Sequence, residues 1–140
     1  MATRSFIGKK LDNGRVRFIY CHWDGNPEYN GKILLEHYNL NNIDKLLDLG
    51  DLSALGERIN PISSEHSFSN PEWDTCIFYG RDRGESNVSA KIRDMEDYLH
   101  DMDDWDIEYK YLLDSDGKWY CYETRNRDGK LRLLEDILKR

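Results

Sequence analysis

The sequence lacks the long hydrophobic run that a membrane-spanning helix requires, since it contains no stretch of about 18 consecutive apolar residues. Its N-terminal residues, MATRSFIGKK, also lack the hydrophobic region of a secretory signal. Cysteine is scarce: Cys21, Cys76 and Cys121 are odd in number and far apart, each within an apolar, strand-like context. This pattern is typical of reduced thiols in a protein core rather than of disulfides or metal ligands. We therefore expect a cytoplasmic protein without a membrane segment.

The motifs of cofactor and metal chemistry are missing as well. Neither a phosphate-binding loop of the Walker type nor a dinucleotide-binding fingerprint occurs. The histidines are scattered, and no cysteine or histidine pair has the spacing of metal ligands. A basic stripe with interleaved aromatic residues, which is typical of nucleic-acid binding, is also absent. The sequence therefore predicts a protein without a cofactor, a metal or a direct nucleic-acid partner.

What the sequence does have is a strongly localised negative charge. Residues 94–108, the acidic window, contain eight carboxylates and no lysine or arginine. Because the net charge of the chain is −7, the rest of the chain carries +1. Such a run is usually the solvated face of a helix and the loop after it; the sharper interpretation is a negative surface that faces a basic partner. The predicted partner-binding residues, all expected to be exposed, are Asp97, Asp101, Asp103 and Asp104.

Composition and turn residues favour one folded domain over residues 1–140. The chain is long enough to bury a core, and its 39% hydrophobic and 12% aromatic residues argue against disorder. Asn13-Gly14 and Asp116-Gly117 each separate two strand-like runs, which is typical of β-hairpins. The hairpins are predicted to join residues 5–11 to 15–23 and residues 107–113 to 118–124. A further buried strand is predicted at residues 75–79.

Helical spacing of apolar residues dominates the middle and the end of the chain. Helices are predicted over residues 29–38, 43–49 (with Gly50 as its stop), 86–102 and 131–140. The third has Ile92, Met95 and Leu99 on a stripe that we expect to be buried. Residues 51–55 are expected to form a short turn and residues 60–73 a long surface loop. The pattern predicts an α+β domain with a single antiparallel sheet of about five strands and helices packed on one face.

The most informative motif is IYCHWDG at residues 19–25, which places a histidine and a carboxylate in an otherwise apolar strand. Because side chains alternate along a strand, Tyr20, His22 and Asp24 should share one face. The strand runs into a turn after Asp24, and ligand-binding residues are often found where strands end in loops. His22 beside Asp24 also resembles the oriented imidazole that a general base requires, but no partnered nucleophile accompanies it.

A second polar motif, GRDRGE at residues 80–85, follows the predicted strand 75–79 directly. Arg81 and Arg83 are suited to a phosphate or carboxylate, because a guanidinium group donates paired hydrogen bonds to an oxyanion. The alternative is a charged turn in which the arginines pair with carboxylates of the motif. If the two strands are neighbours, the two motifs open at adjacent strand ends and form one connected patch. The predicted ligand-binding residues are then Tyr20, His22, Asp24, Arg81, Asp82, Arg83 and Glu85.

Five motifs follow one another over most of the chain: MATRSFIG, IYCHWDG, LGDLSAL, FYGRDRGE and KWYCYE. Together, and in the same order, they resemble the motifs of a family of small proteins from bacteriophages and prophages. One departure is the turn at Asn26 and Pro27, where the family usually has an aromatic residue. The resemblance implies a phage protein in the cytoplasm of a host cell, and it implies no reaction.

Two functions from different classes fit a small acidic phage protein. The first is a non-enzymatic inhibitor or modulator that binds a host protein, for example in counter-defence. The second is a protein that binds a small nucleotide-type anion through the arginine motif and the end of the first hairpin. A hydrolase-type enzyme is a third alternative. We favour the first, because a phosphate ligand would prefer a more basic chain.

A homodimer is also expected. The second hairpin has apolar residues on both faces, with Tyr109 and Tyr111 on one face and Leu112 and Trp119 on the other. A sheet covered by helices on one face leaves its other face exposed, and an exposed apolar patch usually marks an interface. The alternative is that the loop at residues 60–73 covers that face within one chain.

Overall fold

The computed structural model of the protein describes residues 2–126 and 128–140. The strands in this part of the chain are β1 (Arg4–Lys10), β2 (Val16–Cys21), β3 (Leu52–Ala54), β4 (Ile77–Phe78), β5 (Lys91–Arg93), β6 (Ile107–Leu113), β7 (Trp119–Glu123) and β8 (Leu131–Leu133). The α-helices are α1 (Lys32–His37), α2 (Ile43–Asp48), α3 (Tyr79–Arg83), α4 (Met95–His100) and α5 (Leu134–Lys139). A π-helical turn, Pro27–Gly31, leads into α1, and a 3-10 helix, Met102–Asp104, follows α4. None of the helices in the described residues combines the length and apolar character that crossing a membrane requires.

One mixed sheet contains these strands. Its order is β4-β3-β2-β1-β6-β7-β8, and β5 pairs with β2 outside this path. The two predicted hairpins, β1–β2 and β6–β7, are confirmed. They meet through β1 and β6, which run parallel, and β2 and β3 are also parallel. The α+β class is confirmed, whereas the prediction of a single antiparallel sheet of about five strands is wrong.

Two physical reasons explain the difference in the sheet. A turn determines which strands pair within a hairpin, but the parallel pair places Arg4 opposite Ile107, and no turn residue encodes a pairing over that distance. The strands β3, β4, β5 and β8 have three residues or fewer. Alternation of apolar residues is recognisable only over about four to eight residues. Three of these short strands therefore lie in segments that were predicted as a turn or as parts of helices.

Helices cover both faces of the sheet, so the prediction of helices on one face is wrong. Side chains of α1, α2 and α5 form one core with Ile7 and Ile19 of the sheet. The helix α4 lies on the opposite face. There Tyr98 packs on Phe6 and Phe18, with ring centroids 6.1 and 5.1 Å away. The fold therefore has a second, smaller core that depends on α4.

The segment predicted as one helix over residues 86–102 is divided between β5 and α4. Ile92 lies in β5 opposite Arg17 and is 46% exposed, so the prediction that it is buried is wrong. Met95 and Leu99 are half-buried. The buried residue of α4 is Tyr98, which the apolar stripe did not include. The helical spacing in the sequence therefore selected Met95 and Leu99, which are only half-buried, and missed the residue that faces the core.

Three of the four apolar residues named for the second hairpin are buried within a single chain, and the fourth, Tyr109, is half-buried. Tyr111, Leu112 and Trp119 are 3% exposed or less. Trp119 belongs to the same core as Tyr111, whereas Leu112 contacts the core around α4. The homodimer prediction depended on an exposed apolar face of this hairpin, and that face is covered. The covering element is α4 rather than the loop at residues 60–73.

Candidate functional site

The end of β2 brings Tyr20 and His22 together, as predicted from alternation. The Tyr20 hydroxyl lies 2.6 Å from Nδ1 of His22. Burial raises the pKa of Tyr20 and lowers the pKa of His22, and the Arg4 cation lowers the pKa of His22 further. The hydroxyl therefore keeps its proton and the imidazole is neutral, and the tautomer of His22 decides which of the two groups donates.

Asp24 does not share the face of His22. The strand β2 ends at Cys21, and Asp24 has a left-handed backbone with a φ of 58°. The alternation that supported the prediction therefore stops before Asp24. Its main-chain oxygen accepts a hydrogen bond from the Asn30 amide at 3.0 Å. Its side chain lines a cavity of about 330 Å³ beside α1.

Arg81 is fully engaged inside the protein. Its Nε and Nη2 donate to the two carboxylate oxygens of Asp82 at 2.9 and 3.1 Å. Nη2 also donates to the main-chain oxygen of Cys76 at 3.0 Å. Nη1 donates to the main-chain oxygen of Ile59 at 2.7 Å and to Oδ1 of Asn60 at 3.4 Å. A guanidinium group has five N–H donors, so Arg81 has none left for a phosphate.

Asp82 connects this cluster to a histidine that the sequence analysis left aside. Its Oδ2 accepts the Phe78 amide at 2.8 Å and lies 3.3 Å from Nε2 of His66. Burial by itself would raise the pKa of Asp82, but hydrogen bonds from Arg81 and the Phe78 amide lower it. Nδ1 of His66 accepts the Glu72 amide at 3.0 Å, so the ring proton is on Nε2 and faces Asp82. The Nε2 contact is electrostatic rather than a well-aligned hydrogen bond.

Glu72 is a second residue that the sequence analysis did not identify. Its carboxylate accepts the amides of Ile62 and Ser63 at 2.8 and 2.7 Å and the hydroxyl of Thr75 at 2.9 Å. These hydrogen bonds, above all those from the amides, lower the pKa of Glu72 to about 2. A lone glutamate in a Ser- and Asn-rich segment has no distinctive pattern. The available signal is that amides in a long irregular loop need acceptors from side chains.

The second half of the GRDRGE motif faces outward. The Arg83 guanidinium lies 4.9 Å from the ring centroid of Phe68 and 5.7 Å from that of Tyr79. Its Nε lies 3.5 Å from Oε2 of Glu85, and the Arg83 side chain is 52% exposed. Each arginine of the motif therefore pairs with a carboxylate of the motif, as the charged-turn alternative expects.

The two motifs are separated by β3. This strand runs parallel to β2 and antiparallel to β4. His22 therefore extends beyond the end of β2, while α3 leaves β4 in the opposite direction. Asp51 connects the two sides: its side chain accepts the Tyr20 amide at 2.9 Å, and its main-chain oxygen accepts the Tyr79 amide at 3.2 Å. The expectation that neighbouring strands open at one shared end is wrong.

The acidic window does not form one solvated surface. Asp104 is 8% exposed, and its Oδ2 lies 2.8 Å from Nζ of Lys110 and 2.6 Å from Nη1 of Arg93. Burial lowers the pKa of Lys110, and the contact with Asp104 opposes that shift. The prediction that Asp104 is exposed is wrong, because α4 covers the sheet face of Lys110 and a buried ammonium group needs a counter-ion. Of the other predicted partner-binding residues, Asp97 and Asp103 are exposed and Asp101 is half-buried.

Residues 101–105, the anchor segment, present two large apolar side chains. Met102 is 89% exposed and Trp105 is 86% exposed. Both line a cleft of about 340 Å³ between α4 and the end of β7. The contact of Asp104 with Lys110 lies beneath them and joins the segment to β6. The sequence analysis ended a predicted helix at Met102 and gave Trp105 no role, so it missed this feature.

Comparisons with models of protein families, with curated proteins and with solved structures find no match to this chain. The resemblance to phage proteins therefore stays a prediction.

Proposed function

We propose that the protein binds another protein through the anchor segment and catalyses no reaction. The observation that carries this proposal is the exposure of Met102 and Trp105 on a segment that the buried Lys110–Asp104 pair stabilises. Tryptophan and methionine are enriched at protein interfaces, and a few such residues contribute most of the binding energy. Because the anchor segment is already ordered, binding costs little conformational entropy.

The charge near the anchor segment indicates the chemistry of the partner. Asp97 and Asp103 are exposed. Arg125 lines the same cleft as the anchor segment, but it pairs with Glu108 of the acidic window. A matching partner has an apolar pocket for Trp105 and a positively charged rim that faces the carboxylates. Such complementarity increases the association rate and excludes acidic partners more than it increases affinity.

The biological setting of this proposal is a phage protein that acts on a host protein in the cytoplasm. The motifs that resemble phage proteins, from MATRSFIG to KWYCYE, support it. A bound protein of this size would inhibit or modulate its target by covering a basic surface of that target.

The two alternatives have less support from the geometry. Anion binding depended on Arg81, whose five donors are used inside the protein, and on a patch shared across β3. The enzyme alternative required Asp24 to orient the His22 imidazole, but Asp24 does not lie on the same face as His22. Nδ1 of His22 instead contacts the Tyr20 hydroxyl.

Matched variants test the proposal. Trp105→Ala removes the exposed indole, whereas Tyr29→Ala removes a 60% exposed aromatic side chain beside α1. A partner captured from cells of the natural host is purified, and its affinity for each variant is measured by calorimetry. Trp105→Ala should weaken binding by about 30-fold or more, which is the effect of a central interface residue. Tyr29→Ala should leave binding unchanged, and equal affinities of the wild type and Trp105→Ala would disprove the proposal.

A further inference from the structure

Residues 60–74, the clamped loop, present another pair of exposed apolar side chains. Ile62 is 79% exposed and Trp73 is 84% exposed. The loop contains neither a helix nor a strand. A tryptophan is seldom so accessible in a folded protein, because its large apolar surface favours burial.

Hydrogen bonds fix the backbone at both apolar residues. The Glu72 carboxylate accepts the Ile62 amide at 2.8 Å. Nη2 of Arg58 donates to the main-chain oxygen of Trp73 at 2.7 Å. His66 fixes the Glu72 amide between them at 3.0 Å. An irregular loop without such bonds would lose much conformational entropy on binding, so these contacts prepare the clamped loop for a partner.

The GRDRGE motif forms the base of the clamped loop. Arg81 donates to the main-chain oxygen of Ile59 and to Asn60, where the loop begins. The Asp82 carboxylate faces His66 within the loop at 3.3 Å. These two motif residues therefore act as positioning residues for the clamped loop.

The clamped loop carries negative charge alone. Its ionisable side chains other than His66 are Glu65, Glu72 and Asp74, and it contains no lysine or arginine. Glu72 is used internally, whereas Glu65 and Asp74 are exposed. Arg58 and Arg83 lie against the loop, but they pair with Glu72 and Glu85. The carboxylates of Glu65 and Asp74 therefore give this surface its excess charge, and the complementary charge is positive, as it is for the acidic window.

We propose that the clamped loop is a preorganised binding loop, whose Ile62 and Trp73 side chains enter an apolar, positively rimmed cleft on a partner protein. Two exposed apolar residues on a rigid backbone match the small set of residues that dominate an interface. The inference uses no residue of the anchor segment, so it stands or fails independently of the proposed function.

The first experiment locates the contact and measures it. A photoreactive benzoylphenylalanine replaces Ser64, two residues after Ile62, and in a control protein it replaces Tyr29. Irradiation in cells of the natural host should give an adduct at position 64 that is absent at position 29.

The protein found in the adduct is then purified without the crosslink, and its affinity is measured by calorimetry. Trp73→Ala should weaken binding by about 30-fold or more, whereas Trp105→Ala should not. No specific adduct at position 64, or full affinity of Trp73→Ala, overturns the inference. Loss of binding in Trp105→Ala alone supports the anchor segment and overturns the clamped loop.

The second experiment tests preorganisation with two glutamates of the same loop. Glu72→Gln weakens the acceptor of the Ile62 and Ser63 amides, whereas Glu65→Gln changes an exposed carboxylate. Hydrogen exchange at those two amides should be at least tenfold faster in Glu72→Gln and unchanged in Glu65→Gln, with circular dichroism unchanged in both. Binding to the purified adduct protein should weaken by about tenfold in Glu72→Gln alone. Faster exchange without weaker binding would show that clamping has no role in recognition.

Discussion

Nζ of Lys110 lies 2.8 Å from Oδ2 of Asp104, and both side chains are almost excluded from solvent. The same ammonium group donates to the main-chain oxygens of Tyr98 at 2.7 Å and Leu99 at 3.3 Å. An unpaired buried charge is costly, so each of these acceptors contributes to keeping the lysine inside. The pair therefore joins β6, α4 and the anchor segment.

Asp104→Asn should lower the free energy of unfolding by about 3 kcal/mol, because the buried Lys110 ammonium loses its counter-ion. Arg93 loses the same carboxylate. Urea denaturation at pH 7 measures the change. The matched control is Asp103→Asn, an exposed neighbour that should change stability by less than about 0.5 kcal/mol. Equal effects of the two variants would contradict a stabilising role for the buried pair.

Lys110 also shows which features of β6 can be predicted from the sequence and which cannot. Alternation along residues 107–113 predicted β6, and the structure confirms the strand. The same alternation places Lys110 on the face of Leu112, which was expected to be exposed, but α4 covers that face and buries the lysine. A periodic pattern determines which residues share a face, whereas the element that covers the face is a tertiary contact between distant segments.

For the GRDRGE motif, likewise, local contacts could be predicted from the sequence and contacts with distant segments could not. The paired charges of a turn were predictable from the motif as an alternative to an anion site. The acceptors of Arg81 at Ile59 and Asn60 lie some twenty residues earlier in the chain, and nothing in the motif identifies them. Anion binding and loop positioning require the same guanidinium donors, so the sequence alone could not distinguish the two roles.

Arg81→Lys should therefore lower the free energy of unfolding by about 2 kcal/mol, because an ammonium group cannot reproduce five directed N–H donors. Arg83→Lys, at the exposed end of the motif, should change it by less than about 0.5 kcal/mol. Urea denaturation compares the two variants. A thermal-shift assay with mono-, di- and cyclic nucleotides should show no stabilisation of the wild type. Stabilisation that Arg81→Ala abolishes in a folded protein would restore the anion-binding alternative.

Gly50 ends α2 as the sequence predicted, with a φ of +80°. A Cβ at this position would lie 2.3 Å from the main-chain oxygen of Val88. Gly50→Ala therefore adds a backbone clash to left-handed strain, and it should destabilise the protein by well over 1 kcal/mol. Gly14→Ala is the matched control, because Gly14 has a φ of +84° and no atom within 4 Å of the added Cβ. Equal losses in urea denaturation would show that the contact with Val88 relaxes without cost.

The hydrogen bonds to Glu72 make the clamped loop dependent on pH. The pKa of Glu72 is lowered to about 2, whereas an unfolded glutamate titrates near 4.3. Because the folded-state pKa is the lower one, the ionised carboxylate contributes stability in full above about pH 5 and loses it as the pH falls toward 2. The amide resonances of Ile62 and Ser63, followed by NMR, should shift with a midpoint near 2.

Two observations separate this transition from general acid unfolding. Glu72→Gln should abolish the shift of the Ile62 and Ser63 amides, because the glutamine side chain does not titrate. In the same spectra, the resonance of the Phe78 amide, which donates to Asp82, serves as a separate probe of the base of the clamped loop. A midpoint near 4.3 at the Ile62 and Ser63 amides would mean that the carboxylate does not hold them. The clamped loop would then lack the rigidity that its proposed role requires.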